Sequence, residues 1–295
     1  MNKGILYAAA AYGIWGFLPV LLKTLSNVPA FQITAHRALW CFIFLIAIIV
    51  ASQGQLAALK AALNRRNLLI YTLTAVLLAV NWLVFVWAVN AGFIVDSSLG
   101  YFINPLISVL LGVIFLGERL RPLQWLPVCL VAAGVVYLTF SHGGLPWIAL
   151  VLALTFGSYG LVKKIAPLEA LPGVTLETGV MSIAALAYLL VEEGRQASSF
   201  GHAGLSTSLL LIVSGIASAV PLLLFTAGTR RAPLNVVGLL QYISPTLQFL
   251  CGIFLYGEHF DHTRLIGFSI IWLALLIFTG ESLLEKHRTL ASAVA

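Results

Sequence analysis

Three ionisable side chains lie inside long apolar stretches of the sequence and are the first candidates for chemistry: His36, Arg37 and Glu177. If these stretches are membrane helices, the three groups lie roughly 10 Å along them, at about 1.5 Å per residue. A charged group inside a bilayer costs at least ~2.5 to 3.5 kcal/mol, so it usually faces a cavity or a partner. The three residues are therefore candidates for substrate binding or gating, and Glu177 also for proton transfer. Structural glue and snorkelling are the alternatives.

A second group of candidates combines amide side chains with aromatic rings. Tyr101 and Asn104 are three residues apart and share one helix face, and Asn81 and Asn90 recur at about helical spacing. Amides supply donors and acceptors and rings supply an apolar wall, which suits an amphiphilic solute. Simple hydrogen bonding between neighbouring helices is the alternative. The predicted cavity residues are Trp15, Asn81, Trp82, Asn90, Tyr101, Asn104, Gln241, Tyr242 and Gln248.

Prolines interrupt three of the apolar stretches near the middle. Pro105, Pro221 and Pro245 each remove a backbone donor and clash with a carbonyl one turn back, which predicts local kinks. The carbonyls freed in this way could bind a cation or substrate, or the kink could only shape the helix. Glycines at Gly13, Gly16, Gly157 and Gly160 predict close helix approach.

The composition places these residues in a membrane protein. Hydrophobic residues make up 61% of the 295 and charged residues 9%, and the mean hydropathy is +1.03, which excludes a soluble domain. Because a spanning helix needs about 20 apolar residues, the chain predicts ten spans with short connections. They fall near 5–22, 30–51, 68–90, 97–116, 122–140, 146–162, 173–191, 207–228, 235–256 and 264–280.

The remaining composition indicates no cofactor, metal or nucleic acid. The net charge is +6, but the basic residues are scattered instead of forming a stripe for nucleic acid. Cys41, Cys129 and Cys251 have neither disulfide nor zinc-site spacing. The segment from Gln55 to Arg66 is predicted as a helix extension, with a helix along the membrane surface as the alternative.

An internal repeat divides the chain into two halves. At an offset of about 140 residues, Asn104-Pro105 aligns with Ser244-Pro245, and Gly117-Glu118 aligns with Gly257-Glu258. Five spans in each half invert the second copy relative to the first, as in many secondary transporters. The predicted fold is an all-α membrane protein of ten helices around a central cavity: a first repeat at 1–142, a second at 143–280 and a cytoplasmic tail at 281–295.

The distribution of basic residues predicts the orientation. With the amino terminus inside, twelve of the 16 Lys and Arg residues fall on the cytoplasmic side and only Lys23, Arg195 and Arg264 outside, as the positive-inside rule requires. Both termini are then cytoplasmic, in a bacterial inner membrane. Arg37 and Glu177 enter from opposite sides, so we expect two separate polar clusters, each satisfied within its own half. Asp96 is expected to cap the fourth span.

The whole chain resembles the RarD-type branch of the EamA-like drug/metabolite transporter superfamily. The resemblance rests on Ala11-Tyr12-Gly13-Ile14-Trp15-Gly16, Ile33-Thr34-Ala35-His36-Arg37, Asn81-Trp82, Ser98-Leu99-Gly100-Tyr101-Phe102-Ile103-Asn104-Pro105, Leu240-Gln241-Tyr242-Ile243 and Pro245-Thr246-Leu247-Gln248-Phe249. It implies a ten-helix fold with a cavity lined by helices 1, 3, 4, 6, 8 and 9, working by alternating access. It does not supply the substrate.

The sequence therefore predicts a secondary carrier that exports or exchanges small amphiphilic metabolites or drugs. No GxxxxGK[ST] motif for ATP is present, and neither HExxH nor GxSxG indicates an intramembrane enzyme. A non-transporting membrane sensor or assembly subunit is the alternative. The expected partners are a small-molecule substrate and the lipid bilayer; a homodimer, the coupling ion and the direction of transport are left open.

Overall fold

The described part of the chain consists of helices joined by turns and short loops. The computed structural model describes residues 3–52, 54–117, 120, 122–141, 144–229 and 240–294. In chain order the helices are α1 (Lys3–Gly16), α2 (Leu18–Lys23), α3 (Ala30–Ala51), α4 (Gln55–Ala62), α5 (Arg65–Ala91), α6 (Ile94–Leu116), α7 (Pro122–Ser141), α8 (Trp147–Ile165), α9 (Ala170–Gly194), α10 (Leu205–Thr229), α11 (Ile243–Leu250) and α12 (His262–Val294). A π-helical turn, Cys251–Leu255, continues α11.

Eight helical segments within the described residues are long and apolar enough to cross a membrane. Two shorter apolar segments, Trp147–Lys163 and Ile243–Leu255, occupy the places of the sixth and ninth predicted spans. The protein is therefore a multi-pass membrane protein. The predicted start of the ninth span at residue 235 lies outside the described residues, as do Glu118, Arg119, Arg121, Arg230 and Arg231.

Three local features differ from the sequence-based expectations. The first span is broken at Phe17, where Pro19 follows in the first turn of α2. Helix α4 is a separate short helix, because Gly54 before it adopts a positive φ of 80° and the chain turns again at Leu63. The expected helix extension at Gln55 was therefore wrong. Finally, α12 continues as helix through most of the expected tail.

The three predicted kink prolines occupy two kinds of position. Pro105 and Pro221 lie inside α6 and α10, which remain helical on both sides of them. Pro245 is instead the third residue of α11, directly after a turn at Gln241 and Tyr242. The turn contains Gln241, four residues before Pro245, whose carbonyl a proline would clash with in a continuous helix.

Helix packing joins the two halves of the chain. The most extensive helix pairs are α6 with α8, α3 with α9, α1 with α10, α3 with α10, α7 with α12, and α5 with α8. Each of these pairs takes one helix from α1 to α7 and one from α8 to α12. In the predicted repeat, α1, α5 and α6 correspond to α8, α10 and α11. The pair of α1 with α10 would then correspond to α5 with α8, and α6 with α8 to α1 with α11.

Some of these contacts depend on glycine. A Cβ added at Gly215 of α10 would clash with the Trp40 Cβ and lie 2.7 Å from the Cys41 amide nitrogen of α3. Gly16 and Gly157 also lie at tight contacts, with Leu247 at 2.7 Å and Ile107 at 3.0 Å from the added Cβ. At Gly13 and Gly160 the added atom would meet no described atom within 4 Å. The prediction of close approach was therefore wrong for those two glycines.

Candidate functional site

Arg37 lies at the centre of the helix packing with only 2% of its surface exposed. Its Nε donates a hydrogen bond of 3.1 Å to the Ser218 hydroxyl of α10, and its Cζ lies 4.5 Å from the centroid of the Trp82 ring of α5. Its Nη1 is buried without a hydrogen-bond partner. Arg37 therefore binds across the two halves, and the expectation that its own half would satisfy it was wrong.

Packing explains why Ser218 reaches Arg37. Gly215 lets α10 approach the α3 backbone, and Ser218 follows it by about one helical turn. The Ser218 hydroxyl donates to the Ser214 carbonyl oxygen at 2.8 Å, which leaves its lone pairs free to accept from Arg37.

A polar network centred on Asn81 joins α5, α6 and α8. The Tyr101 hydroxyl donates to Asn81 Oδ1 at 3.1 Å, and Asn81 Nδ2 lies 3.0 Å from the Thr155 hydroxyl and 3.1 Å from the Leu152 carbonyl oxygen. Asn81 is 1% exposed, so all of its bonds are made inside the protein. Trp82, whose ring centroid lies 4.5 Å from the Arg37 guanidinium carbon, directly follows Asn81 in α5.

Glu177 forms a second charged cluster with residues of α8. Its Oε1 accepts from the Tyr159 hydroxyl at 2.8 Å, and its Oε2 lies 3.2 Å from Lys163 Nζ. Glu177 is fully buried, whereas 21% of the Lys163 side chain remains exposed. The Lys163 ammonium also lies 5.2 Å from the Tyr71 ring centroid. The buried Glu177 carboxylate is therefore paired with a lysine whose side chain is partly exposed at the surface.

Aromatic side chains connect the Asn81 network with the Glu177 cluster. The Phe156 ring lies 6.0 Å from Tyr101 and 5.8 Å from Tyr159, between centroids. On the other side of Tyr101, the Phe85 ring lies at 5.7 Å. We call Arg37, Ser218, the Asn81 network, these rings and the Glu177 cluster the polar core. Its side chains come from α3, α5, α6, α8, α9 and α10, which belong to both halves.

The other predicted cavity residues take different places. Gln248 Nε2 donates to the Trp15 carbonyl oxygen at 3.3 Å, and the Trp15 ring packs on Tyr12 and Phe225. Asn104 lies on α6 facing α8, and its Oδ1 has no hydrogen-bond partner. Gln241 lies with Tyr242 in the turn before α11. The contacts described for these residues include none with Arg37, Asn81 or Glu177.

Asn90, Tyr242 and His36 lie apart from the polar core. Asn90 is in the last turn of α5, about 13 Å along the helix from Asn81, where its carbonyl oxygen faces Lys23. The Tyr242 side chain hydrogen-bonds with Thr279 of α12. His36 is 4% exposed and stacks on Phe200 with centroids 5.0 Å apart, and neither of its ring nitrogens has a partner.

Glu258 is not among the site residues predicted from the sequence. It lies in the loop before α12, and its carboxylate accepts hydrogen bonds from the Ile94 and Val95 amides at 2.7 and 2.8 Å. It therefore caps α6 from the opposite half, while Asp96 pairs with Arg264 at 3.4 Å. Asp96 lies in the first turn of α6, not in the turn before it as expected. Burial raises the pKa of Glu258, and the two amide bonds oppose that shift in part.

Two cavities lie outside the polar core. A groove of about 550 Å³ between α1, α2 and α10 is lined only by apolar residues: Ala10, Gly13, Ile14, Phe17, Leu18, Leu21 and Ala217. A smaller cavity of about 210 Å³ lies beside Trp87, Trp147 and the Asp96–Arg264 pair. Within the described ranges, no three His, Cys, Asp or Glu side chains are grouped to hold a metal ion.

The EamA-like transporter family matches this chain twice, at residues 2–140 and again at 144–280. The chain belongs to the EamA-like transporter family. An uncharacterized transporter, YojE of Bacillus subtilis (strain 168), is 44% identical over 97% of this chain and 96% of its own length. The protein RarD of Escherichia coli (strain K12) is 42% identical over 98% of this chain and 97% of its own length.

A more distant relative carries a more specific name. The chloramphenicol-sensitive protein RarD of Pseudomonas aeruginosa is 33% identical, with 97% of both chains covered. A solved crystal structure superposes with a TM-score of 0.61 at 20% identity, covering 94% of this chain and 96% of the other. That likeness concerns the fold alone. As an EamA-like family member with transporter relatives over its full length, the protein has a membrane transporter role.

Proposed function

We propose that the protein is a secondary carrier that exports or exchanges small amphiphilic metabolites or drugs by alternating access between two inverted five-helix halves. The polar core carries this proposal. It places charged groups, the Asn81 amide, hydroxyls and aromatic rings together deep inside a membrane protein, which is costly unless the groups serve a solute path or bind each other. Its residues come from both halves, so a rocking motion between the halves would change the site.

The helix pairing supports the division into repeats at 1–142 and 143–280. The pair of α1 with α10 becomes the pair of α8 with α5 when each span of the first repeat is matched with its equivalent in the second. Both pairs are present in the structure. Gly117 and Gly257, which align in the repeat, both have a positive φ, of 66° and 63°. The EamA-like family also matches each half separately. An inverted repeat accounts for all three observations.

Location and orientation follow from the charges. The carrier spans a bacterial inner membrane with both termini in the cytoplasm, since Lys3, Lys60, Arg65 and Arg66 lie at one end of the predicted spans. We therefore assign the face that carries Lys23 and Glu258 to the periplasm, and the face that carries Lys163 to the cytoplasm.

A flux measurement tests the carrier function. Purified protein in proteoliposomes should move at least one class of labelled amphiphilic metabolite with saturable kinetics, and an imposed pH or voltage gradient should change the rate if transport is coupled. Empty liposomes give the background of passive diffusion. If no solute class shows saturable flux, the protein is instead a membrane sensor or assembly subunit.

A further inference from the structure

We propose that Arg37 binds the anionic group of the transported solute, and that the substrates are carboxylates with an aromatic or other apolar body. This rests on the proposed carrier function and names the substrate class of the same site. The inference starts from a buried cation without an anion.

No acidic side chain of the described residues neutralises Arg37. The ion pairs in the described part of the chain join Lys163 with Glu177, Arg195 with Glu192, His202 with Glu193 and Arg264 with Asp96. Glu258 is held by the Ile94 and Val95 amides. An arginine stays protonated even when it is buried, so the positive charge at Arg37 remains for a solute to balance.

The arrangement around the guanidinium leaves one edge for a ligand. The Ser218 hydroxyl accepts from Nε, and the guanidinium carbon lies 4.5 Å from the Trp82 ring centroid. Nη1 is buried and has no hydrogen-bond partner among the described residues. A guanidinium edge matches the two oxygens of a carboxylate in geometry and charge. Charge-assisted hydrogen bonds of this kind are about twice as strong as hydrogen bonds between neutral groups. A neutral amide could use the same edge but would not balance the charge.

The neighbours of Arg37 indicate the rest of the solute. The Trp82 ring lies 4.5 Å from the guanidinium carbon. The Phe85 and Phe156 rings pack on Tyr101, which binds Asn81, the residue before Trp82. The Asn81 and Thr155 side chains already bind each other. A cationic solute would meet a like charge here. The site therefore favours an anion at one end of the solute and an aromatic or aliphatic body at the other.

Arg37 is shielded from solvent in this structure, so binding requires the helices of the two halves to separate at this point. Ser218 belongs to α10 and Arg37 to α3, and their hydrogen bond is one of the contacts that would open. A carboxylate bound through Nη1 would add a charge-assisted hydrogen bond, which offsets the loss of the Ser218 bond.

Ligand binding to the purified protein in detergent tests the inference without transport. The probes are phenylacetate, 3-phenylpropionate and octanoate, each compared with its own amide and with sodium chloride at equal ionic strength. We expect the carboxylates to raise the melting temperature saturably and to bind at least about tenfold more tightly than the amides. Equal binding of acids and amides, or no saturable shift with any carboxylate, overturns the proposal.

Two variants assign the effect to Arg37. R37Q should abolish the carboxylate-dependent shift and R37K should weaken it, whereas R264Q, which removes an arginine from outside the polar core, should keep it. Carboxylate binding by R37Q at unchanged affinity overturns the proposal. If R37Q does not fold, the difference between acids and amides on the unmodified protein decides the question.

The outcome is separable from that of the carrier function. Carboxylate binding that R37Q abolishes, together with no flux of any solute, would reject the carrier and keep the anion site. Saturable flux of neutral solutes that R37Q leaves unchanged would keep the carrier and reject the anion site.

Discussion

Glu177 and Lys163 show how one buried charge depends on another. The carboxylate has no exposed surface, and Tyr159 and Lys163 are its partners. Removing one partner of a buried pair leaves an uncompensated charge, whereas removing both can be nearly neutral. The pair therefore stabilises the contact of α8 with α9 only as long as both members are present.

A double-mutant cycle tests this dependence. K163M should lower the free energy of unfolding by about 3 kcal/mol, because Glu177 is then buried without its cation. K163M/E177Q should recover at least about 2 kcal/mol of that loss. Thermal or denaturant unfolding in detergent measures K163M, E177Q and the double variant. If the two single losses simply add in the double variant, the side chains are not coupled.

The sequence identifies the buried charges but not their partners. Hydrophobicity alone singles out Arg37 and Glu177, because a charge inside an apolar stretch is visible without a structure. Lys163 is assigned from sequence to a loop, since nothing in the pattern shows that its flexible stem turns back to Glu177. Ser218 is an ordinary small polar residue in an apolar helix, and only the approach of α10 to α3 makes it a partner of Arg37.

At the scale of helices, Gly215 fixes the contact of α3 with α10. Trp40 Cβ and the Cys41 backbone lie against the position that a Gly215 side chain would take. Neither can move as the end of a flexible side chain can. Gly160 is a helical glycine of α8 that meets no described atom within 4 Å. The two positions therefore provide a matched pair of substitutions.

Gly215→Ala should lower the free energy of unfolding by about 1 to 3 kcal/mol, because the added methyl overpacks the contact. Gly160→Ala should raise it by about 0.4 to 1 kcal/mol, since alanine restricts the unfolded chain without a clash. Unfolding of both variants in the same detergent gives the comparison. Equal effects of the same sign would show that helix propensity, not the contact, decides the stability.

Most helix positions follow from hydropathy, but the breaks do not. The spans predicted at 30–51 and 97–116 lie within α3 and α6, because apolar length alone determines a spanning helix. The break at Phe17 and the separate α4 depend on local backbone geometry at Pro19 and Gly54. The capping of α6 by Glu258 is a contact between residues 164 apart, which no local pattern contains.

For the whole molecule, Glu258 makes the stability of a contact between the two halves depend on pH. Burial raises the pKa of this carboxyl, with Asp96 acting in the same direction and Lys23 against it. The folded state therefore favours the protonated form more than the unfolded chain does. This contribution to stability is present at low pH and is lost as the pH rises through the raised pKa.

E258Q should remove the pH dependence of stability that Glu258 causes, while its side chain keeps one acceptor oxygen. The melting temperature of the unmodified protein, minus that of E258Q, should rise as the pH is lowered from about 8 to about 5. E192Q removes a carboxylate from a pair with Arg195 and gives the effect of charge loss at another site. A difference that is constant with pH, or that falls on acidification, would contradict the expected sign.

Labelling of single cysteines tests the proposed orientation. In a background with Cys129→Ser, S26C and A61C place thiols at exposed positions on the two faces. A membrane-impermeant maleimide should label S26C in intact bacterial cells, and A61C only after permeabilisation, because the basic face is expected to be cytoplasmic. The reverse pattern would place both termini outside.

The pairing of helices across the two halves also constrains synthesis of the protein. The main packing partners of α1, α3, α6 and α7 are all drawn from α8 to α12. A ribosome that has finished α7 has therefore inserted helices into the bilayer whose principal neighbours have not yet been made. The early helices must wait in lipid, with Arg37 lacking Ser218 and α6 lacking the Glu258 cap, until the chain is nearly complete.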